Sequence, residues 1–236
     1  MSEPGVDAKQ TYRQHRYAPP PGATEILLVR HGESQPVDPE RPFDLIDGHG
    51  DPPLDPVGVD QSERLGERLA GEDIAAVYVT TLRRTVETAA PLAKRLGIVP
   101  SVEPELREVY LGEWEGGLLR VKAAEHDPTF LRAVEEQRWD LIPGAEPAEA
   151  FRDRVSLGIS RVAVAHPDQL VVVVTHGGVI GEVLSNATGA RGWAFIGADN
   201  ASISHIVVEE DRITVRRFND TTHLEPHFSV AAPPPI

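Results

Sequence analysis

The chain has 236 residues, 40% of them apolar, a formal net charge of −14 and no cysteine. That length suits one large domain with a core that needs no covalent staples. The charge argues against a general binder of nucleic acid or of anionic membranes, and the missing cysteines exclude disulfides and thiolate metal sites.

Residues 1–23 read as a tail without fixed structure: polar, aperiodic and ending in Pro19-Pro20-Pro21-Gly22. Their start, Met1-Ser2-Glu3, has neither the basic residues nor the apolar stretch of a secretory signal. No apolar run approaches the length of a membrane span, so a cytoplasmic protein with no membrane partner is expected. The Asn-x-Ser/Thr triplets at Asn186, Asn200 and Asn219 then read as chance.

Glu25–Val29 is a short apolar run ahead of a polar loop and predicts a buried strand. Gly58–Ala70 sets Ser62, Leu65, Gly66 and Leu69 on one helical face, and Ala75–Val79 is a second strand. Leu82–Leu96 is a helix closed by Gly97. Residues 112–146, charged and carrying Trp114 and Trp139, predict a helical insertion over one end of the sheet. Pro147–Ala165 spaces Phe151, Val155, Ile159 and Val162 as a helix does. Leu170–Val174 is β-branched without polar alternation, the pattern of a strand buried on both faces of a parallel sheet. Ser202–Val208 and Arg212–Phe218 predict an antiparallel pair, and residues 229–236 a second flexible tail. The sum is a single α/β domain over 24–228, a three-layer sandwich with a mostly parallel central sheet and helices on both faces. Its exposed sheet edges are compatible with a homodimer.

Three polar clusters follow predicted strands: Arg30-His31-Gly32-Glu33-Ser34, Thr80-Thr81-Leu82-Arg83-Arg84 and Thr175-His176-Gly177-Gly178. The carboxyl ends of parallel strands share one edge, where ligands bind, so the three can converge. Arginine forks match phosphate oxygens, and a neutral imidazole is a nucleophile toward phosphorus. A helix opening at Gly177 would aim free N–H groups at the same anion. Arginines would supply the charge stabilisation that kinases draw from magnesium.

On these residues the sequence resembles the histidine phosphatase superfamily, the phosphoglycerate-mutase-like fold. Further elements carry the resemblance in order: Asp51–Gln61, Leu106–Gly116 around Glu108, Asn200–Ile203 and Phe218–Leu224. It implies that His31 accepts the phosphoryl group and that Arg30, Arg84 and His176 hold it, beside the helix opening at Gly177. Glu108 would protonate the leaving alcohol and then deprotonate water. Neither metal nor other cofactor is implied. The chain departs from the family pattern at Gln35-Pro36-Val37, where an asparagine is usual, at Asp47, and at Ala145-Glu146-Pro147. Asp47 is expected to turn away from an anion or to pair with an arginine.

Other residues read more plainly. The family spacing selects Arg84 over Arg83. His49 and His126 read as loop and helix residues, Trp114, Trp139 and Trp193 as packing anchors, Arg120 and Lys122 as a solvated helix face, and His223 as structural. The leading expectation is a metal-independent phosphomonoester hydrolase acting on a small phosphorylated metabolite. A phosphoglycerate mutase ranks second, and a non-catalytic phosphate-binding module third. The short insertion and Glu108-Val109-Tyr110, in place of the mutases' Glu-Arg-His-Tyr, favour hydrolysis.

Overall fold

A computed structural model describes residues 12–210 and 212–225. The expected tail at 229–236 and residues 1–11 lie outside the described residues. Residues 12–23 run as coil rather than free tail, with the Tyr17 ring 3.9 Å from the Arg216 guanidinium carbon.

Strand β1 (Thr24–Arg30) sits inside a six-stranded sheet. Its side chains alternate between two fully apolar faces, Ile26 and Leu28 on one and Leu27 and Val29 on the other, and all four are buried. Two helical layers cover those faces, which is why the run lacks polar alternation. Two short strands follow, β2 (Leu45–Ile46) and β3 (His49–Gly50), paired only with each other. Then come α1 (Pro56–Leu69), β4 (Ile74–Val79), α2 (Arg83–Leu96) and the two-residue β5 (Ser101–Val102). The insertion holds α3 (Leu118–Ala124) and α4 (Pro128–Glu136), with single 3₁₀ turns at Gly112–Trp114 and Trp139–Leu141. The chain closes with α5 (Ala148–Ala165), β6 (Leu170–Thr175), α6 (Gly177–Thr188), β7 (Ile203–Glu209) and β8 (Arg212–Asp220).

The strand order is β5-β4-β6-β1-β7-β8. The first four are parallel; β7 runs antiparallel to β1, and β8 antiparallel to β7, so β8 points the same way as the first four. Helices α5 and α6 bury Phe151, Val155, Ile159, Val179 and Ile180 on the Ile26 face. Helices α1 and α2 bury Leu65, Leu69, Ala89 and Leu92 on the Leu27 face. The mostly parallel three-layer sandwich expected from the sequence is the fold observed. No described helix is long and apolar enough to cross a membrane.

Register positions the chemistry. Arg30 lies opposite Thr175 in the parallel β1–β6 pair, so the next residues, His31 and His176, leave the sheet side by side. Tyr78 lies opposite Val173, which carries Thr80 to the same edge. The loop after β1 is pinned by close backbone packing against α1. Asp55 caps that helix through Gly58 N–H at 2.8 Å, and Gln61 accepts Glu33 N–H at 2.8 Å. A Cβ at Gly58 would stand 2.0 Å from Glu33 O, so only glycine lets the two segments touch.

Candidate active site

His31 is 6% exposed, and its Nδ1 lies 2.7 Å from Gly32 O, to which it donates. That bond fixes the tautomer and leaves Nε2 with its lone pair. The backbone of His31 is held on both sides, by Thr175 O at 2.9 Å and by Asn200 Nδ2 at 3.0 Å. Burial, then the charges of Arg84 and Arg30, push its pKa well below the ordinary histidine value. The imidazole is therefore neutral where a free histidine would be half protonated. His176 is completely buried, with its ring centroid 5.2 Å from that of His31. Burial and the charge of Arg84 likewise hold its pKa well down.

The two arginines are fixed by main-chain carbonyls. Arg30 donates from Nη1 to Ala198 O at 2.6 Å, and Arg84 donates from Nη1 to Gly50 O at 2.9 Å. Burial lowers the Arg84 pKa to about 10, so it stays charged at neutral pH. Arg83, its neighbour, faces solvent and pairs with Glu87. Among the buried side-chain atoms at this edge without a hydrogen-bond partner in the described residues are two nitrogens, Arg30 Nε and His176 Nδ1. Buried polar groups are nearly always paired, and an anion between them would supply the acceptors.

Glu108 is half-buried. Its Oε1 accepts Val109 N–H at 2.9 Å and its Oε2 accepts Gly178 N–H at 3.2 Å. The first turn of α6 thus holds a carboxylate, where free N–H groups aimed at an anion were expected. Gly177 lies beside Arg30, where a Cβ would fall 3.4 Å from Arg30 Nε, an ordinary contact distance. The Glu108 segment is fastened from behind by Arg154 on α5. Its guanidinium donates to Glu105 O, Arg107 O and Glu108 O at 2.7, 2.7 and 2.8 Å, and to Glu146.

Two sequence readings change here, those of Arg120 and His49, while Asp47 pairs with an arginine as expected. Arg120 is not on a solvated face: it is half-buried, donates to Ser34 Oγ at 2.7 Å and Gln35 O at 2.8 Å, and lies over the Phe43 ring. Its charge also depresses the pKa of His31. His49 is buried rather than an ordinary loop residue, with Nε2 3.3 Å from Glu108 O. Asp47 pairs with Arg107 at 3.3 Å, which takes its charge away from the anion site. Lys122 is engaged with Asp127 at 3.2 Å, away from the site, and His223 Nε2 lies 3.1 Å from Ala201 O. Arg154 was missed entirely. It stands on an amphipathic helix among solvated residues, and main-chain carbonyl partners leave no signal in sequence.

Two histidines, two buried guanidiniums and a carboxylate gathered at one sheet edge form a set of groups suited to binding an anion and transferring a phosphoryl group. The model of the histidine phosphatase superfamily (branch 1) matches residues 26–221, and the chain belongs to that family. Phosphoglycerate mutase-like protein 4 of Arabidopsis thaliana is 34% identical over 206 residues, covering 85% of this chain and 87% of that protein. Phosphoserine phosphatase 1 of Hydrogenobacter thermophilus is 31% identical over 203 residues, covering 85% and 94%. Among solved structures, Bacillus stearothermophilus YhfR superposes with a TM-score of 0.74 at 27% identity, covering 86% of this chain and 100% of that one. The chain is therefore a phosphatase- or mutase-type enzyme of this superfamily.

Proposed function

We propose that the chain is a phosphomonoester hydrolase that works without a metal ion, through a phosphohistidine at His31. The observation that carries this reading is the pair of buried, unpartnered donors, Arg30 Nε and His176 Nδ1, beside a neutral imidazole whose free nitrogen is Nε2. A phosphoryl oxygen satisfies each donor. In the first step the Nε2 lone pair forms the P–N bond, the P–O ester bond breaks, and Glu108 gives its proton to the departing alkoxide. In the second step Glu108 takes a proton from water, the hydroxide attacks phosphorus, and the electron pair of the P–N bond returns to Nε2. Arg30 and Arg84 offset charge that gathers on the equatorial oxygens. Relatives named as phosphoserine phosphatases support hydrolysis, beside others whose names are those of phosphoglycerate mutases or mutase-like proteins.

The test is a single turnover in ¹⁸O-labelled water with EDTA present. Each released phosphate should carry one ¹⁸O. Retention of the phosphoryl group until a glycerate acceptor is added would mean a mutase, and loss of turnover with EDTA would remove the metal-free mechanism.

Thr80 has a positioning role in this scheme. The one proton of the Thr80 hydroxyl has two acceptors in reach, Thr85 Oγ1 at 3.1 Å and His176 Nε2 at 3.0 Å, and here it lies on the His176 side. Leu82 N–H donates to Thr80 Oγ1 at 3.2 Å, and that hydroxyl lies 3.0 Å from His176 Nε2. A proton given by Thr80 to Nε2 leaves the proton of His176 on Nδ1, as a donor to phosphate needs. Thr80→Val should lower kcat by about 10- to 100-fold, less than the roughly 10²- to 10³-fold for losing an oriented transition-state donor outright, because the imidazole itself remains. Thr80→Ser should retain most of it. Equal losses in the two variants would assign the residue to packing.

A further inference from the structure

His31 is oriented through a single peptide group. Its Nδ1 donates to Gly32 O at 2.7 Å, and that carbonyl belongs to the peptide whose N–H, on Glu33, donates to Gln61 Oε1 at 2.8 Å. Imidazole, peptide and amide therefore form one chain of hydrogen bonds. Gln61 lies on the second turn of α1. Long helical side chains lean back toward the helix start, which carries its amide to Glu33 beside the first turn. The partner there is an N–H group, so the amide oxygen and not the nitrogen faces it. The peptide itself has little freedom. Glu33 O accepts Asp55 N–H at 3.0 Å, and a Cβ at Gly32 would stand 2.7 Å from Gly58 O.

The proton on Nδ1 matters most once Nε2 begins to bond to phosphorus. The attacking ring is neutral, the P–N bond takes the Nε2 lone pair, and Nδ1 keeps its proton. The ring of the phosphohistidine therefore carries a positive charge. The Gly32 carbonyl meets that charge as it forms. Burial and the charges of Arg84 and Arg30 press the His31 pKa down, and the bond to Gly32 opposes them. Hydrogen bonds in series polarise one another, so an acceptor on the Glu33 N–H makes the Gly32 oxygen more negative. Serine hydrolases set a carboxylate behind the histidine for the same purpose. Here the group behind the histidine is a neutral amide that acts through a peptide.

We infer that Gln61 is a positioning residue for the phosphoryl transfer: through the Gly32–Glu33 peptide it holds the His31 ring in place and offsets the charge that the ring acquires. The inference rests on the hydrolase reading above. Single-turnover release of p-nitrophenolate, with enzyme in excess over p-nitrophenyl phosphate, reads the first step alone. The ¹H resonance of His31 Nδ1–H in ¹⁵N-histidine-labelled protein reads the hydrogen bond. Gln61 is half-buried, so a substitution of similar length opens no core cavity. Gln61→Met removes the acceptor oxygen and should lower the maximal rate by about 10- to 100-fold, the scale on which groups behind a functional histidine act. The half-saturating enzyme concentration should change by less than about twofold, because Arg30, Arg84 and His176 hold the phosphate and only the transition state loses an interaction. The Nδ1–H resonance should move upfield. Gln61→Glu keeps an acceptor oxygen at the same reach and should run within about threefold of the native rate, since an ionised acceptor is no weaker than an amide. A native rate in Gln61→Met, equal losses in the two variants, or a slowed Gln61→Met with an unmoved Nδ1–H resonance would overturn the positioning role and leave the hydrolase reading standing. No release of p-nitrophenolate by the native protein would overturn both.

Discussion

His31→Ala should lower turnover of p-nitrophenyl phosphate by at least about 10⁴-fold, the scale seen when a covalent nucleophile is removed from a site whose members act as a unit. No neighbour can substitute. His176 is the nearest imidazole, but its Nε2 is occupied by Thr80 at 3.0 Å and its ring meets that of His31 edge-on. The carboxylate of Glu108 is held by two backbone N–H groups and is assigned the opposite role. Because His31 and His176 bury small neutral rings, the variant should fold, with unchanged circular dichroism as the control. Residual turnover within tenfold of the native enzyme would place the nucleophile elsewhere.

Glu108→Gln is expected to separate substrates by their leaving groups. An alkyl ester departs as a strongly basic alkoxide and needs a proton in the transition state, so its kcat should fall by about 10²- to 10⁴-fold. A p-nitrophenolate needs little protonation, and its first step should fall by tenfold or less. The glutamine retains the acceptor oxygen for one of the two N–H groups now bound, so the loop keeps most of its anchoring. Pre-steady-state measurement matters here, because removing the base also slows breakdown of the phosphohistidine and gives a burst. Equal losses for alkyl and aryl esters, with no burst, would remove Glu108 from both roles.

The sequence carried the frame of this molecule because the frame rests on local physics. Glu25–Val29 and Leu170–Val174 are apolar on both faces, which dictates a sheet covered on both sides, and the polar clusters that follow them must then share an edge. The observed register adds what periodicity cannot supply: Arg30 opposite Thr175 makes His31 and His176 neighbours. The short strands β2, β3 and β5 were not visible, since two residues each are set by tertiary pairing rather than by propensity. Arg154 was missed and Arg120 misread for a related reason. Each carries a charge at a helical position that sequence alone assigns to solvent, and each spends it on main-chain carbonyls or a hydroxyl contributed from elsewhere in the fold. The tautomer link from Thr80 to His176 belongs to the same class: the residue stood inside a recognisable motif, yet its partner is ninety-six residues away.

The most direct test of the central claim is a mass spectrum of the protein mixed with p-nitrophenyl phosphate, quenched in alkali after milliseconds and digested. A transient phosphoryl adduct on the peptide containing His31, absent from His31→Ala and formed equally with EDTA, is the result expected. Turnover at the native rate without any such adduct, or an adduct mapping to another residue, would contradict it.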